Sequence, residues 1–380
     1  MTPSTQTFRP GAATPVPLRD VERELNRRLK LMQGKPGDES PMVRACMSNL
    51  IVYCDRADLA ERVAAQVPEV VTVHPARVLL LIAETGPQEG DLQAAVCVRG
   101  HVRDPGRWVV SEQVTLHATG QAVDHLSYAV RSLLIGDLPT NLWWASAQPP
   151  PLAGPLLYEL AEPAQQILYD SMGWLEPARG VAATSAWIAS VERGPGQGPW
   201  RVVSDLNWRR LKYWRRLLGQ AFDPKGMPGA LESVTEVLVE HGPHAVIQAW
   251  ELVSWMVSRL GWQVQAGRVQ PGVEIAWHVQ APHGAVRLRI KRLSEGPAEV
   301  RRVRLACLVN GKPGAVNAAA ESERRLVVTL EGEGSAPRTM TAQPQTSSEL
   351  VGRQLTDRER DPVFREATAV AQVLARSVLS

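Results

Sequence analysis

The sequence lacks the patterns on which several common chemistries depend. It has only four cysteines, Cys46, Cys54, Cys97 and Cys307, and none forms a CxxC pair, so a disulfide-stapled secreted scaffold is excluded. Cys46 and Cys54 fall on one face of a single predicted strand, but about 26 Å apart, far beyond disulfide reach. Buried thiols are therefore expected, and a redox switch would need a cross-strand partner such as Cys97, or another chain. No GxGxxG follows a strand, and the one glycine cluster, GPGQG, carries a proline. GxxxxGK[ST], HExxH and GxSxG are missing too, which removes the usual signatures of nucleotide binding, zinc proteolysis and serine hydrolysis. The longest apolar runs, such as Val78–Ala83, are strand-sized, so no helix is expected to cross a bilayer. MTPSTQTFRPGAATPVP has no apolar core of a secretory signal and reads as a flexible lead-in to a cytoplasmic protein. A net charge of +3 is too small for a dedicated nucleic-acid binder.

What is present is an ordinary folding composition, 44% hydrophobic and 21% charged, in a chain long enough for two domains. After a helical stripe over 18–32, residues 45–53, 76–83, 92–102, 108–118, 142–145 and 166–169 read as strands. Helices over 57–67 and 121–134 alternate with them, and the turn Asp104-Pro105-Gly106 makes a hairpin of the third and fourth strands. This order predicts an α/β N-terminal domain with a mostly parallel sheet. The GPGQGP stretch (194–199) is the best linker. Beyond it come helices over 207–222 and 245–260 and a strand over 234–239. Strands over 262–269, 273–279, 286–293, 300–308 and 326–330 follow, then a closing helix over 361–378. That half predicts an α+β C-terminal domain with an antiparallel sheet. The expected division is 1–40 for the lead-in and first helix, 41–175 for the first domain and 176–380 for the second.

Few residues suggest chemistry. His241 and His244 are separated by Gly242-Pro243, which prevents helical presentation to a metal, and no further ligands lie nearby. His117 and His125 flank Gly120 without a nucleophile or carboxylate to complete a constellation. Asp170-Ser171 follows a strand end, where α/β sheets place active-site groups, but where capping also occurs. No catalytic residue, metal site or cofactor is assigned. The richest segment is the 207–222 helix. At 3.6 residues per turn, Trp208, Leu211, Trp214, Leu217, Leu218, Ala221 and Phe222 share one arc, with Arg209, Lys212 and Arg216 opposite. Arg210 and Arg215 lie beside the apolar arc, where their stems can pack while the guanidinium groups reach outward. Asp205 is placed to cap the helix.

This segment, DLNWRRLKYWRRLLGQAFD (Asp205–Asp223), resembles the DLNW motif of the OpcA family. RACMSNLIVYC (Arg44–Cys54), SEQVTLHATG (Ser111–Gly120) and LLIGDLPTNLWW (Leu133–Trp144) resemble family segments in the same order. The resemblance implies a non-catalytic assembly factor and allosteric activator of glucose-6-phosphate dehydrogenase, which binds the enzyme oligomer and uses no cofactor of its own. Trp143, Trp144, Trp208 and Trp214 are then candidate anchors for the partner, with Arg209, Arg210, Lys212, Arg215 and Arg216 as their polar complement. Two other readings compete. A sugar-phosphate enzyme would hold phosphate on the 207–222 helix and use Asp170 as base. A nucleic-acid module would use the basic face of Arg287, Arg289 and Lys291, against which the modest net charge argues.

Overall fold

A computed structural model of the chain describes residues 13–32, 42–44, 46–104, 107–193, 201–222, 227, 229–309, 311–331 and 337–379. The expected lead-in ahead of residue 13, the hairpin residues Pro105 and Gly106, and the GPGQGP linker lie outside the described residues.

The chain enters through β1 (Thr14–Val16) and α1 (Val21–Met32), whose Val21, Leu25 and Leu29 face the core at helical spacing. β2 (Met42–Arg44) and β3 (Ser48–Cys54) follow, so the strand expected over 45–53 begins only at Ser48, and Cys46 precedes it. Every residue of β3 is buried, as a parallel strand covered on both faces requires. The chain continues through α2 (Ala57–Val73), β4 (Ala76–Glu84), β5 (Leu92–Asp104), β6 (Arg107–Thr119) and α3 (Leu126–Leu133). Then come β7 (Thr140–Trp144), α4 (Leu156–Ala161), β8 (Gln166–Tyr169), α5 (Pro177–Arg193) and β9 (Val202–Asp205).

These strands form one sheet in the order β1-β5-β6-β4-β3-β7-β8-β9, with β2 beside β6. β6, β4, β3, β7, β8 and β9 run parallel, while β5 pairs antiparallel with β6 as the inserted hairpin strand. In chain order these six strands take the 3-2-1-4-5-6 arrangement of a doubly wound sheet, and the short β2 runs parallel beside β6. β9 completes this sheet although it lies beyond residue 175, where the first domain was expected to end. Cys54 on β3 and Cys97 on β5 are three strands apart, at least about 14 Å, so this pair cannot bridge.

The segments that carried the family resemblance tie this sheet together. Asn49 Nδ2 donates to the Ile135 and Leu138 carbonyls (3.0 and 3.3 Å), and Asn49 Oδ1 accepts from the Ile135 backbone N–H at 3.0 Å. The loop of the DLPTN segment is thereby locked to β3. Tyr53 stacks on Trp144 with centroids 3.9 Å apart. Glu112, fully buried, pairs with Arg77 at 2.8 Å, and Arg77 also reaches Glu22 of α1. Gly120 has φ +53°, and a Cβ there would lie 2.2 Å from the Gln88 carbonyl oxygen, so only glycine ends β6 in this way.

The second half opens with α6 (Leu206–Arg210) and α7 (Lys212–Ala221), which divide the single helix expected over 207–222 at Leu211. β10 (Glu236–His241), α8 (Val246–Leu260), β11 (Gln263–Gln270), β12 (Glu274–Ala281) and β13 (Gly284–Arg292) follow. β14 (Val300–Val309), β15 (Lys312–Ser322), β16 (Arg325–Glu331), β17 (Arg338–Thr341), α9 (Ser347–Thr356) and α10 (Pro362–Leu379) complete the chain. α8 stops at Gly261 (φ 65°), where the Trp262 N–H returns to the Val257 carbonyl in a left-handed cap.

The second sheet runs β11-β12-β13-β10-β14-β15-β16-β17 and is antiparallel except for the β10–β13 pair. That exception arises because the chain leaves β10 through α8 and returns by way of β11 and β12. Its inner face, with Val237, Val239, Trp277, Val286, Leu288 and Ile290, is buried. α8 packs on β10 and β13, and α10 on β11. Trp277 Nε1 donates to the Leu374 carbonyl of α10 at 3.0 Å. α10 also packs on α5 and α8, so the last helix joins the two halves. Among the described residues no helix is long and apolar enough to cross a membrane.

Candidate functional site

The candidate site is built on the two short helices that follow β9. Asp205 ends β9 in an extended conformation, and its Oδ1 accepts from the backbone N–H groups of Asn207 (2.9 Å) and Ser171 (3.2 Å). It thus caps α6, as the sequence suggested, and also fixes the loop after β8. Asn207 Nδ2 donates to Ser171 Oγ at 2.9 Å and tightens the same joint. The Asp205 carboxyl is buried, and burial, aided by the nearby Asp170 carboxylate, raises its pKa to about 6.

The apolar arc is as expected: Trp208, Leu211, Trp214, Leu217, Leu218, Ala221 and Phe222 are all buried. The arginines behave differently. Arg210 and Arg215 do not reach outward. Arg210 grips both oxygens of Asp170 at 2.8 and 2.7 Å and adds Asn207 Oδ1 at 3.0 Å. The Arg215 guanidinium sits 3.6 Å from the centre of the Trp208 ring and donates to the Trp208 carbonyl at 2.7 Å. Burial lowers the Arg215 pKa to about 10. Arg209 pairs with Asp357 at 2.7 Å and bonds Gln354, binding α6 to α9. Only Lys212 and Arg216 of the five cations are exposed. Lys212, Arg209 and Arg353 line a groove of about 290 Å³ between α7 and α9.

The tryptophans proposed as partner anchors are core residues instead. Trp143 and Trp144 are 3% and 1% exposed because successive residues of a central strand face its two covered sides. Trp208 and Trp214 are 5% and 6% exposed. Trp208 donates through Nε1 to Asp361 at 2.7 Å and packs on Phe364.

Sequence reasoning missed what lies beneath Trp208. Glu251, the lone acid in the apolar α8, lines a cavity of about 30 Å³ with Asp205, Tyr169, Thr184 and Trp174. Its Oε2 is buried without a hydrogen-bond partner, as are Thr184 Oγ1 and Trp174 Nε1. Burial, reinforced by Asp205, raises the Glu251 pKa well above the ordinary carboxylate value. An acid inside an apolar helix was the available signal.

The competing chemistries fare poorly. Asp170 has both oxygens held by Arg210, which leaves it badly placed as a general base. On the second sheet Arg289 pairs with Glu274 and Glu236, so acids interleave the basic face of Arg287, Arg289 and Lys291. His241 is buried with Nδ1 against the Gly242 carbonyl, and no group of three or more potential metal ligands occurs among the described residues.

Comparison with known proteins places these observations in a family. The N-terminal-domain profile of a glucose-6-phosphate dehydrogenase subunit, an OpcA assembly domain, matches residues 67–186, and the C-terminal-domain profile matches 201–368. The OxPP cycle protein OpcA of Nostoc punctiforme is 30% identical over 196 residues, covering 51% of this chain and 40% of that protein. Its namesake from Synechocystis is 26% identical over 275 residues, covering 69% and 55%. The chain therefore spans about half the length of the curated relatives it matches. An oxidoreductase from Sinorhizobium meliloti aligns over 87% of this chain and 96% of its own, with a TM-score of 0.49 and 11% identity. Matched in both halves, and carrying each motif as part of its internal bracing, the chain belongs to the OpcA family of glucose-6-phosphate dehydrogenase subunits.

Proposed function

We propose that this protein is a non-catalytic partner of glucose-6-phosphate dehydrogenase that binds the enzyme oligomer and favours its active state in the oxidative pentose phosphate pathway. The family match across both halves carries this reading. The geometry supports it: the DLNW segment is hydrogen-bonded into a joint of β8, β9, α6, α9 and α10, and Lys212 and Arg216 lie exposed on α7. An activator of this kind must bind the competent state more tightly than the other, since equal affinity shifts nothing. A joint cross-linked in this way suits that task because it places the same two cations toward one arrangement of the partner.

The test is dehydrogenase kinetics with and without the protein, together with co-purification. A lowered apparent KM or a raised kcat, and a stable complex, are expected. Unchanged kinetics with no complex would refute the reading.

A further inference from the structure

We infer that the first sheet keeps the topology of a dinucleotide site but places its own carboxylates, Asp55 and Asp58, where the pyrophosphate would lie, so that this chain takes no dinucleotide. The 3-2-1-4-5-6 strand order puts the switch point between β3 and β7, and ligands of such sheets bind in the crevice outside those strand ends. Glycines at the first strand-to-helix turn normally let the backbone approach the pyrophosphate, which rests on the helix N-terminus. Here the turn reads Cys54-Asp55-Arg56-Ala57-Asp58-Leu59, with a side chain at every position.

The crevice is also tied shut. Ser146 Oγ, after β7, donates to Asp55 Oδ2, after β3, at 2.5 Å. The Ala145 N–H donates to the Tyr53 carbonyl at 2.9 Å and continues the strand pairing. Asp58 lies in the first turn of α2, where its carboxylate meets the positive end of the helix dipole, and it pairs with Arg62 at 3.2 Å and Arg56 at 3.3 Å. A pyrophosphate on this helix end would have to displace the Asp58 carboxylate from Arg56 and Arg62 and the Asp55 carboxylate from Ser146, the groups that already hold these positions. Glu84 ends the neighbouring strand β4, on the side where such sheets hold the ribose, but its Oε2 is bonded to His117 Nε2 at 2.7 Å. In this chain the crevice is a joint between two loops.

Calorimetric titration of the full chain with NADP⁺ and with NAD⁺ tests this, and no saturable binding up to about 1 mM is expected. Saturable binding that ADP competes away overturns the inference. The charge argument has its own test, with inorganic pyrophosphate as probe. Asp55→Asn/Asp58→Asn, with folding checked by its melting curve, should bind pyrophosphate at least about tenfold more tightly than the parent chain. Asp58→Asn alone, at an exposed position that cannot disturb packing, should show about a threefold gain. If neither variant differs from the parent, the carboxylates do not guard the helix end and the inference fails.

Discussion

Arg215 and Trp208 form a cation–π pair across the break between α6 and α7, with the guanidinium carbon 3.6 Å from the ring centre. The break leaves the Trp208 carbonyl at the end of α6, and Arg215 Nη1 satisfies it at 2.7 Å. One side chain therefore stacks on the ring and completes the backbone beneath it. Arg215→Met keeps most of the apolar contact but loses both functions, and should cost about 2 kcal/mol of stability. Arg215→Lys should recover little, since an ammonium neither stacks flat nor reaches both targets. Chemical denaturation of the three proteins checks this.

The buried Asp205 carboxyl makes stability depend on pH in a direction opposite to that of a paired surface acid. Its folded pKa of about 6 lies above the ordinary 3.8, so the folded state holds the proton more tightly. The proton-linked stability is fully present below about pH 4 and is lost as pH rises through about 6. Other carboxylates work in reverse: Glu24, held near pKa 2 by Arg27 and Arg28, favours higher pH. The useful measurement is thus the stability difference between the parent and Asp205→Asn at several pH values. That difference should shift against the parent by about 2–2.5 kcal/mol between pH 4 and pH 8. Glu251, raised in the same sense, should add to the slope, and Glu251→Gln should reduce it. A difference that does not vary with pH would show that Asp205 is ionised throughout.

Arg77 is buried, with 4% of its side chain exposed, and compensates the fully buried Glu112. Arg77→Met would remove the guanidinium that compensates this buried carboxylate, and a loss of about 3–5 kcal/mol is expected. Arg77→Met/Glu112→Gln should regain much of it, because no buried charge is then left unpaired. A double-mutant cycle by thermal melting measures the coupling.

The fold was largely legible because both sheets alternate in ways that burial dictates. Val286, Leu288 and Ile290 face inward between Arg287, Arg289 and Lys291, as the sequence pattern requires. β15 was not legible: its run of alanines has little strand propensity, and only pairing with β14 and β16 makes it a strand. α9 was hidden in a polar stretch, though Thr346 and Glu349 form a capping box there. At the candidate site the apolar face of α6 and α7 could be read from spacing. The destinations of Arg209, Arg210 and Arg215 could not, because Asp357, Asp170 and the Trp208 ring meet them through tertiary contacts. The strand order, and with it the dinucleotide-type crevice, was equally out of reach. Its glycine signature is missing, and the β3–β7 adjacency is fixed by parallel pairing between distant segments.

The division among the cations decides where a partner can be felt. Arg209, Arg210 and Arg215 hold the joint together, so their substitution should disturb the fold and the complex alike. Lys212 and Arg216 are exposed on α7, and their substitution should disturb the complex alone. Lys212→Glu/Arg216→Glu should leave the melting temperature within about 1 °C of the parent, since exposed charges contribute little to stability. If this face meets an acidic surface on the dehydrogenase, the same variant turns attraction into repulsion and should weaken the complex by at least about tenfold. The effect should fall mainly on the association rate and diminish at high salt, because exposed charges act over a Debye length. Surface plasmon resonance at two ionic strengths separates this from a packing effect. An unchanged affinity at low salt would move the docking face elsewhere on the molecule, while a loss that salt does not alter would mean that α7 contributes shape rather than charge.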